Sequence, residues 1–274
     1  MIAGLLRKGT TGLAKQKRPD NECSPFLPEK MAKKIIDNPA KRLLAVLQAC
    51  KAIPPNETCR KAWQTVLKTE DEGQLLSRLA KVLELAAAVT EVIREVFPRH
   101  LNAIQTLRIQ VNAGITQQSL NGQWSAFLQQ IPDHSIVSLE FASSLLDERE
   151  ELKEIAADTL AEQRDTLFSI RAEIVAATDI PDQVKLTILR YIQRLIEGID
   201  EYFITGVFPV LDAVNTAVGN IAFDNVYNTA LEQTESGKKF AASLSNVANS
   251  VTIATGILQL AEPVSHVFRL LTRS

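Results

Sequence analysis

The chain has 274 residues, of which 46% are hydrophobic, 23% charged and 5% aromatic. Its 30 Lys and Arg residues nearly balance 32 Asp and Glu residues, which gives a net charge of −2. A chain with this charge does not produce the positive field that is typical of a nucleic-acid-binding protein. Ample apolar residues and only three cysteines exclude collagen-like, disordered and disulfide-scaffold proteins. We therefore expect a globular chain for which nucleic acid is not a partner.

Residues 1–34 differ in composition from the rest of the chain. They hold eight basic and three acidic residues, a local charge of +5, and show no apolar periodicity. The sequence predicts a flexible basic tail, which is either a solvated terminus or an arm that contacts anionic lipid or nucleic acid. The candidate anionic contacts are Arg7, Lys8, Lys15, Lys17 and Arg18. The apolar start precedes its basic residues, so it does not resemble a secretion signal.

The first predicted helices follow capping and proline signals. Asn38–Pro39 has the order of a cap followed by a first-turn proline, so a helix begins there and ends before Pro54–Pro55. Asn56 is the predicted cap of a second short helix. Trp63 and Trp124 lie on apolar helix faces, and we expect both in the core.

A long helix is predicted from residue 71 to residue 96, and Pro98 interrupts it. Its apolar residues alternate spacings of four and three, which keeps them on one side of the helix. They are Leu75, Leu79, Val82, Ala86, Val89, Ile93 and Val96. After Pro98 a further apolar face ends before Gly114. The apolar stripe from Leu75 to Val96 must pack against other helices.

The rest of the chain is also predicted to be helical, since no segment shows sustained period-two alternation. The acidic run Asp147–Glu154 is interpreted as the solvated start of a second long helix, because acidic groups suit a helix N-terminus. The predicted segments are 117–130, 135–148, 150–177, 181–203, 210–223 and 238–272. Aromatic residues near Gly206 and Pro209 are expected to pack at a corner, with a partner surface as the alternative.

These patterns predict an all-α, elongated multi-helix bundle with several heptad-patterned helices. Residues 35–148 form a helical N-terminal part and residues 149–274 a helical C-terminal part, which we expect to pack as one bundle. The three cysteines and three histidines show no metal-ligand or C-x-x-C spacing. We expect no metal, no cofactor, no small-molecule ligand and a reducing, cytoplasmic setting.

Residues 240–261 form a run of 22 residues without a charge. Its length suits a membrane span, but Asn246, Asn249 and Gln259 are costly to bury in lipid. Two alternatives stay open, a helix buried by its neighbours and a membrane-perturbing or partner-binding helix that would associate with a membrane on activation. The candidate residues for contact with a membrane or a partner are Phe240, Leu244, Val247, Val251, Ile253, Ile257, Leu258 and Leu260.

Arg94 and His100 form an R-x5-H pattern that is similar to the catalytic pair of a family of helical ribonucleases named for nucleotide binding in higher eukaryotes and prokaryotes. The resemblance implies that His100 acts on an RNA 2′-hydroxyl and that Arg94 supports a phosphate. Pro98 inside the pattern and Glu95 after the arginine depart from the family. No phosphate-binding loop, dinucleotide fingerprint or nucleophile elbow accompanies it.

A second resemblance rests on two stretches of sequence. NPAKRLL through IPPNETCRKAW, residues 38–63, and LRYI through EYFITG, residues 189–206, resemble a group of bacterial helical proteins associated with mobile elements and phage defence. The resemblance implies a bacterial, cytoplasmic origin and supplies no catalytic residues.

We therefore expect a non-enzymatic helical protein that works by association with itself or a protein partner, in a bacterial defence or stress system. The membrane-perturbing effector and the helical ribonuclease are the alternatives.

Overall fold

The computed structural model of the protein describes residues 37–149 and 154–255. Within these ranges the chain forms twelve α-helices and one 3-10 helix, and it forms no strand, only an isolated bridge between Thr58 and Gln123. The prediction of an all-α bundle is confirmed. The basic tail, with Arg7, Lys8, Lys15, Lys17 and Arg18, and the candidate residues Ile257, Leu258 and Leu260 lie outside the described residues.

The helices follow one another with short connections. They are α1 (Pro39–Lys51), α2 (Cys59–Val66), α3 (Glu72–Val96), a 3-10 turn (Pro98–His100), α4 (Leu101–Thr116), α5 (Ser125–Gln130), α6 (Asp133–Arg149), α7 (Ala157–Ala176), α8 (Asp182–Asp200), α9 (Tyr202–Thr205), α10 (Phe208–Phe223), α11 (Asn225–Gln233) and α12 (Glu235–Thr255). The break that Pro98 predicts after α3 is therefore present.

Side-chain caps define several of these helix starts. The Asn38 carboxamide oxygen accepts from the backbone N–H of Lys41 at 3.0 Å, which confirms the predicted cap of α1. The predicted cap of α2 was wrong, because Thr58 caps that helix and not Asn56. The chain first turns, with the N–H of Glu57 donating to the carbonyl of Pro54, and reaches helical geometry only after Thr58.

Two other predicted boundaries were also wrong. Residues 117–124 are not helical, because this segment pairs with the start of α2. Cys59 N donates to Gly122 O at 2.9 Å, and Arg60 N donates to Leu120 O at 2.8 Å. The second long helix does not begin where the acidic run predicted, since residues 147–149 belong to α6, residues 154–156 are not helical and α7 begins at Ala157.

The end of α6 is tied to the start of α1. The side-chain nitrogen of Asn38 donates to the carbonyl of Ser143 at 3.0 Å and to the carboxylate of Asp147 at 2.8 Å. This contact uses Asp147 in the last turn of α6, so the acid stabilises a junction between two helices and not the start of the next one.

The first hydrophobic core is built by α1 to α6 around a cluster of three rings. Trp63, Trp124 and Phe127 are fully buried, with ring centroids 4.6–5.0 Å apart. The indole N–H of Trp124 donates to the carbonyl of Cys50 at 3.0 Å, which satisfies its polar atom. Both tryptophans are core residues, as predicted. In α3 the predicted stripe is buried from Leu75 to Ile93.

The second core is built by α7, α8, α10, α11 and α12. Tyr227 and Phe240 are fully buried in it, and Tyr191 packs edge-on against Tyr227 with centroids 5.9 Å apart. Leu167, Ile170 and Ile174 of α7 are buried in this core, and the polar Gln163 of the same helix is also buried.

The described part of the uncharged segment, residues 240–255, is a packed helix of the second core. Phe240, Leu244, Val247 and Val251 are buried, whereas Ile253 lies on the opposite face and is 72% exposed. Three of its hydroxyl groups are satisfied within the helix, since Ser250, Thr252 and the buried Thr255 each donate to a carbonyl four residues earlier. Among the helices of the described ranges, none combines the length and the hydropathy that crossing a bilayer requires.

Two helical glycines allow a matched test of this packing. A Cβ on Gly114 in α4 would lie 2.8 Å from the ring of Phe127, whereas a Cβ on Gly219 in α10 would meet nothing within 4 Å. Gly114→Ala is therefore expected to lower the free energy of unfolding by about 1–3 kcal/mol through overpacking.

Gly219→Ala is the control and should raise that free energy by about 0.5–1 kcal/mol, because alanine is the better helix former. Urea denaturation of the two variants measures both effects. Equal gains in stability would show that Gly114 is not held against Phe127.

Candidate functional site

The two cores meet at a corner of the chain, residues 201–206, which includes α9. Ile204 is buried in the first core, whereas Tyr202 packs against the second. The corner ends at Gly206, whose φ of +71° is a left-handed conformation that glycine adopts without strain. A Cβ there would also lie 2.7 Å from the guanidinium carbon of Arg42, so the close approach requires glycine.

Arg42 of α1 fastens the 201–206 corner to the first core. Its Nε donates to the carbonyl of Ile204 at 3.1 Å, and its Nη1 is paired with Asp37. Both charged side chains are more than four-fifths buried. Burial raises the pKa of the Asp37 carboxyl above its ordinary value, and the attraction of Arg42 opposes that rise.

Arg78 of α3 holds the other side of the corner. Its Nη1 donates to the carbonyls of Leu67 and Lys68, at 2.7 and 2.9 Å, and so caps the end of α2. Its Nε lies 3.4 Å from the carboxylate of Glu201, which also pairs with Lys81. Because Arg78 is buried, removing Glu201 would leave an uncompensated charge inside the protein.

Lys68, which follows α2, is strained. Its φ of +53° makes it the non-glycine residue with positive φ in the described part of the chain. The N–H of Thr69 donates to the carbonyl of Gln64 at 3.1 Å, which is the hydrogen bond of a Schellman motif at the end of a helix. In that motif the position held here by Lys68 is usually glycine. The Lys68 ammonium lies 4.8 Å from the centre of the Phe203 ring.

A groove of about 610 Å³ opens beside the corner, between α1 and the start of α7. Tyr202 and Phe203 line it together with small apolar residues of α7. The Tyr202 hydroxyl accepts from the N–H of Ile155 at 3.1 Å, and burial raises its pKa. Ion pairs frame the groove, Lys41 with Glu154 at 3.1 Å and Arg164 with Asp200 at 2.5 Å.

A second concavity of about 480 Å³ adjoins the groove, and we call it the cationic depression. It shares Lys68, Arg164 and Asp200 with the groove. Its complete lining is Lys68, Gln74, Arg78, Arg164, Phe168, Arg171, Gln193, Ile196 and Asp200. Four cationic side chains and one carboxylate therefore surround a single concavity, which suits it to binding an anion.

The predicted ribonuclease pair lies elsewhere. Arg94 pairs with Glu91 on the exposed side of α3, and His100 packs edge-on against Phe141 of α6 with centroids 5.1 Å apart. The Pro98 turn separates the two residues, and each is engaged by a different neighbour. Catalysis by this pair stays a prediction.

The groove and the depression were missed as a site by the sequence analysis. Tyr202 and Phe203, two of the aromatic residues that were expected to pack at a corner near Gly206 and Pro209, line the groove. No sequence pattern connects Lys68 with Arg171, because Lys68 follows α2 on the side of the first core and Arg171 lies on α7 of the second core. A lysine where a helix end favours glycine is the one local signal that could have drawn attention to this place.

Comparison with protein-family models, with curated proteins and with solved structures found no match for this chain. The two resemblances described above stay predictions.

The strain at Lys68 can be measured. Lys68→Gly is expected to raise the free energy of unfolding by about 1 kcal/mol, because glycine adopts positive φ without the steric penalty of a Cβ. Lys68→Ala removes the same side chain but keeps the Cβ, so it should bring no such gain. Chemical denaturation of both variants tests this, and equal stabilities would contradict a strained backbone.

The raised pKa of Asp37 predicts a pH dependence. The folded state binds this proton more tightly than the unfolded state, so the resulting stability is present below the unfolded pKa and is lost as the pH rises through the folded pKa. The stability of the wild type relative to Asp37→Asn should therefore fall with rising pH, by about 1.4 kcal/mol per unit of pKa difference. Denaturation curves from about pH 3.5 to 6.5 measure it. A relative stability that rises with pH would mean that the attraction of Arg42 outweighs burial.

Proposed function

We propose that the protein acts by self-association, as a non-enzymatic helical assembly protein that pairs through one surface of α4 and α6. The observation that carries this proposal is a set of large apolar side chains exposed on these two adjacent helices. Ile109 of α4 is 68% exposed, and Val137 and Phe141 of α6 are 62% and 51% exposed. We call this surface the α4–α6 face.

The framework beneath the α4–α6 face is rigidly packed. Leu107 and Val111 of α4 and Leu139 of α6 are buried in the first core. The hydroxyl of Ser135 donates to the side-chain oxygen of Gln110 at 2.6 Å, which joins the two helices. The exposed side chains therefore project from helices whose opposite sides are fixed.

The α4 side of the α4–α6 face is also poor in charge. Arg108 is the one charged residue between Leu101 and Pro132, in a chain that is 23% charged. On α4 the other exposed residues are uncharged. The two exposed carboxylates next to Val137 and Phe141 on α6 have partners on α1, Asp133 with Lys51 and Glu140 with Gln48. Depletion of charged residues is the compositional signal of an interface centre.

The low charge favours a second copy as the partner. In a twofold dimer the same surface meets itself, so any excess of one charge would face its own copy. A nearly neutral surface avoids that repulsion while it buries the exposed apolar side chains. The resemblance to bacterial helical proteins supports a cytoplasmic defence or stress system as the setting of this assembly.

Sedimentation velocity of the full chain from about 1 to about 100 µM tests the proposal. The wild type should shift toward a dimer with concentration, and Ile109→Glu or Phe141→Glu should keep the chain monomeric, because each would bury an unpaired charge at the interface.

Phe223→Glu is the matched control. Phe223 is 91% exposed and lies at the end of α10, away from α4 and α6, so its substitution should leave the dimer intact. A wild type that stays monomeric at the highest concentration, or a dimer that survives both substitutions on the α4–α6 face, would overturn the proposal.

A further inference from the structure

We propose that the cationic depression and the adjoining groove together bind a phosphate monoester, with the phosphate in the depression and an apolar portion of the same molecule in the groove. The proposal is independent of self-association, since the α4–α6 face contributes no residue to either concavity.

The distribution of ion pairs identifies where an anion would bind. The three carboxylates that line the two concavities all have cationic partners, Asp37 with Arg42, Glu154 with Lys41, and Asp200 with Arg164. Nearby, Glu201 is shared by Arg78 and Lys81.

Two cations of the lining are left without an acidic partner among the described residues, Lys68 and Arg171. Both line the cationic depression, one from each core. A phosphate monoester carries close to two negative charges near neutral pH. It would therefore match the two unpaired cations.

Neutral donors add to this environment. The side-chain oxygen of Gln74 accepts from the hydroxyl of Thr69 at 2.9 Å, which orients the carboxamide and leaves its NH2 group without a protein partner in the described ranges. Arg171 offers a planar set of N–H donors that suits phosphate oxygens, and Lys68 offers a compact charge. The depression thus supplies the donors that a phosphate group requires.

The groove next to the cationic depression suits an apolar extension of the ligand. Lys68, Arg164 and Asp200 line both of them, so the two concavities lie side by side and one ligand could contact both. Beyond these residues the groove presents Leu160, Ala161 and the ring of Phe203. A hydrocarbon or aromatic group attached to the phosphate would be removed from water there.

The strained backbone of Lys68 is consistent with this role. Glycine would suit the conformation better, but it would remove the ammonium that lines both concavities. Unfavourable backbone conformations are often retained at binding sites, where the side chain is needed in one place. The strained backbone is therefore consistent with a need for the Lys68 ammonium at this position.

Isothermal titration of the full chain with phenyl phosphate, and separately with inorganic phosphate, tests the proposal. We expect phenyl phosphate to bind more tightly than inorganic phosphate. Lys68→Gln and Arg171→Gln should each weaken binding of phenyl phosphate about tenfold, the expected loss for one charge-assisted hydrogen bond.

Arg190→Gln is the matched control, because Arg190 is an exposed arginine of α8 that lines neither concavity. It should leave the affinity unchanged, and thermal melting curves should show that all three variants are folded. No binding of either probe, or binding that the Lys68 and Arg171 substitutions do not weaken, would overturn the proposal. Equal affinity for both probes would overturn the part assigned to the groove.

Vesicles distinguish a soluble phosphate monoester from a lipid headgroup. Flotation with vesicles that contain phosphatidic acid, a lipid phosphate monoester, is compared with vesicles of equal charge that contain phosphatidylglycerol, a phosphodiester. Binding to phosphatidic acid alone, lost in the variant with both Lys68→Gln and Arg171→Gln, would assign the site to a lipid. Binding of phenyl phosphate without vesicle binding would assign it to a soluble molecule.

Discussion

The hydrogen bond from Arg42 to the carbonyl of Ile204 organises the meeting of the two cores. It holds a turn of the C-terminal half against the first helix of the N-terminal half, and Ile204 enters the first core beside it. A buried guanidinium needs a carboxylate, which Asp37 supplies, and the close approach needs a residue without Cβ, which Gly206 supplies. The corner, the ion pair and the glycine are thus one arrangement.

The same arrangement creates the concavities at its sides. Charged residues line the boundary between the two cores on both sides of the corner. Most of these residues pair with one another across it, as Arg78 does with Glu201. Most charges at the boundary are therefore satisfied, and the cations without a carboxylate partner among the described residues, Lys68 and Arg171, are those that a ligand could contact.

Packing also determines the character of α12. Its uncharged sequence suits both lipid and a protein core, but in the protein its apolar side faces the second core and its polar side is satisfied by other groups. Gln163 of α7 donates to the hydroxyl of Ser250 at 2.6 Å, and that hydroxyl donates in turn to the carbonyl of Asn246. The sequence left open whether this helix packs in a core, and the partner Gln163 could be found only in the structure.

The amino-acid sequence alone determined the helical fold, the apolar stripe from Leu75 to Ile93, the cap at Asn38 and the burial of both tryptophans, because each follows from interactions within a few residues or from helical periodicity. Tertiary structure decided the non-helical segment before Trp124, the role of Asp147 and the groove beside Phe203. In each case the deciding partner lies far away in sequence, as Cys59 does for Gly122, Asn38 for Asp147 and Lys41 for Glu154. Local propensity carries no information about such partners, since the backbone pairing and the balance of charges arise only when the two cores have packed.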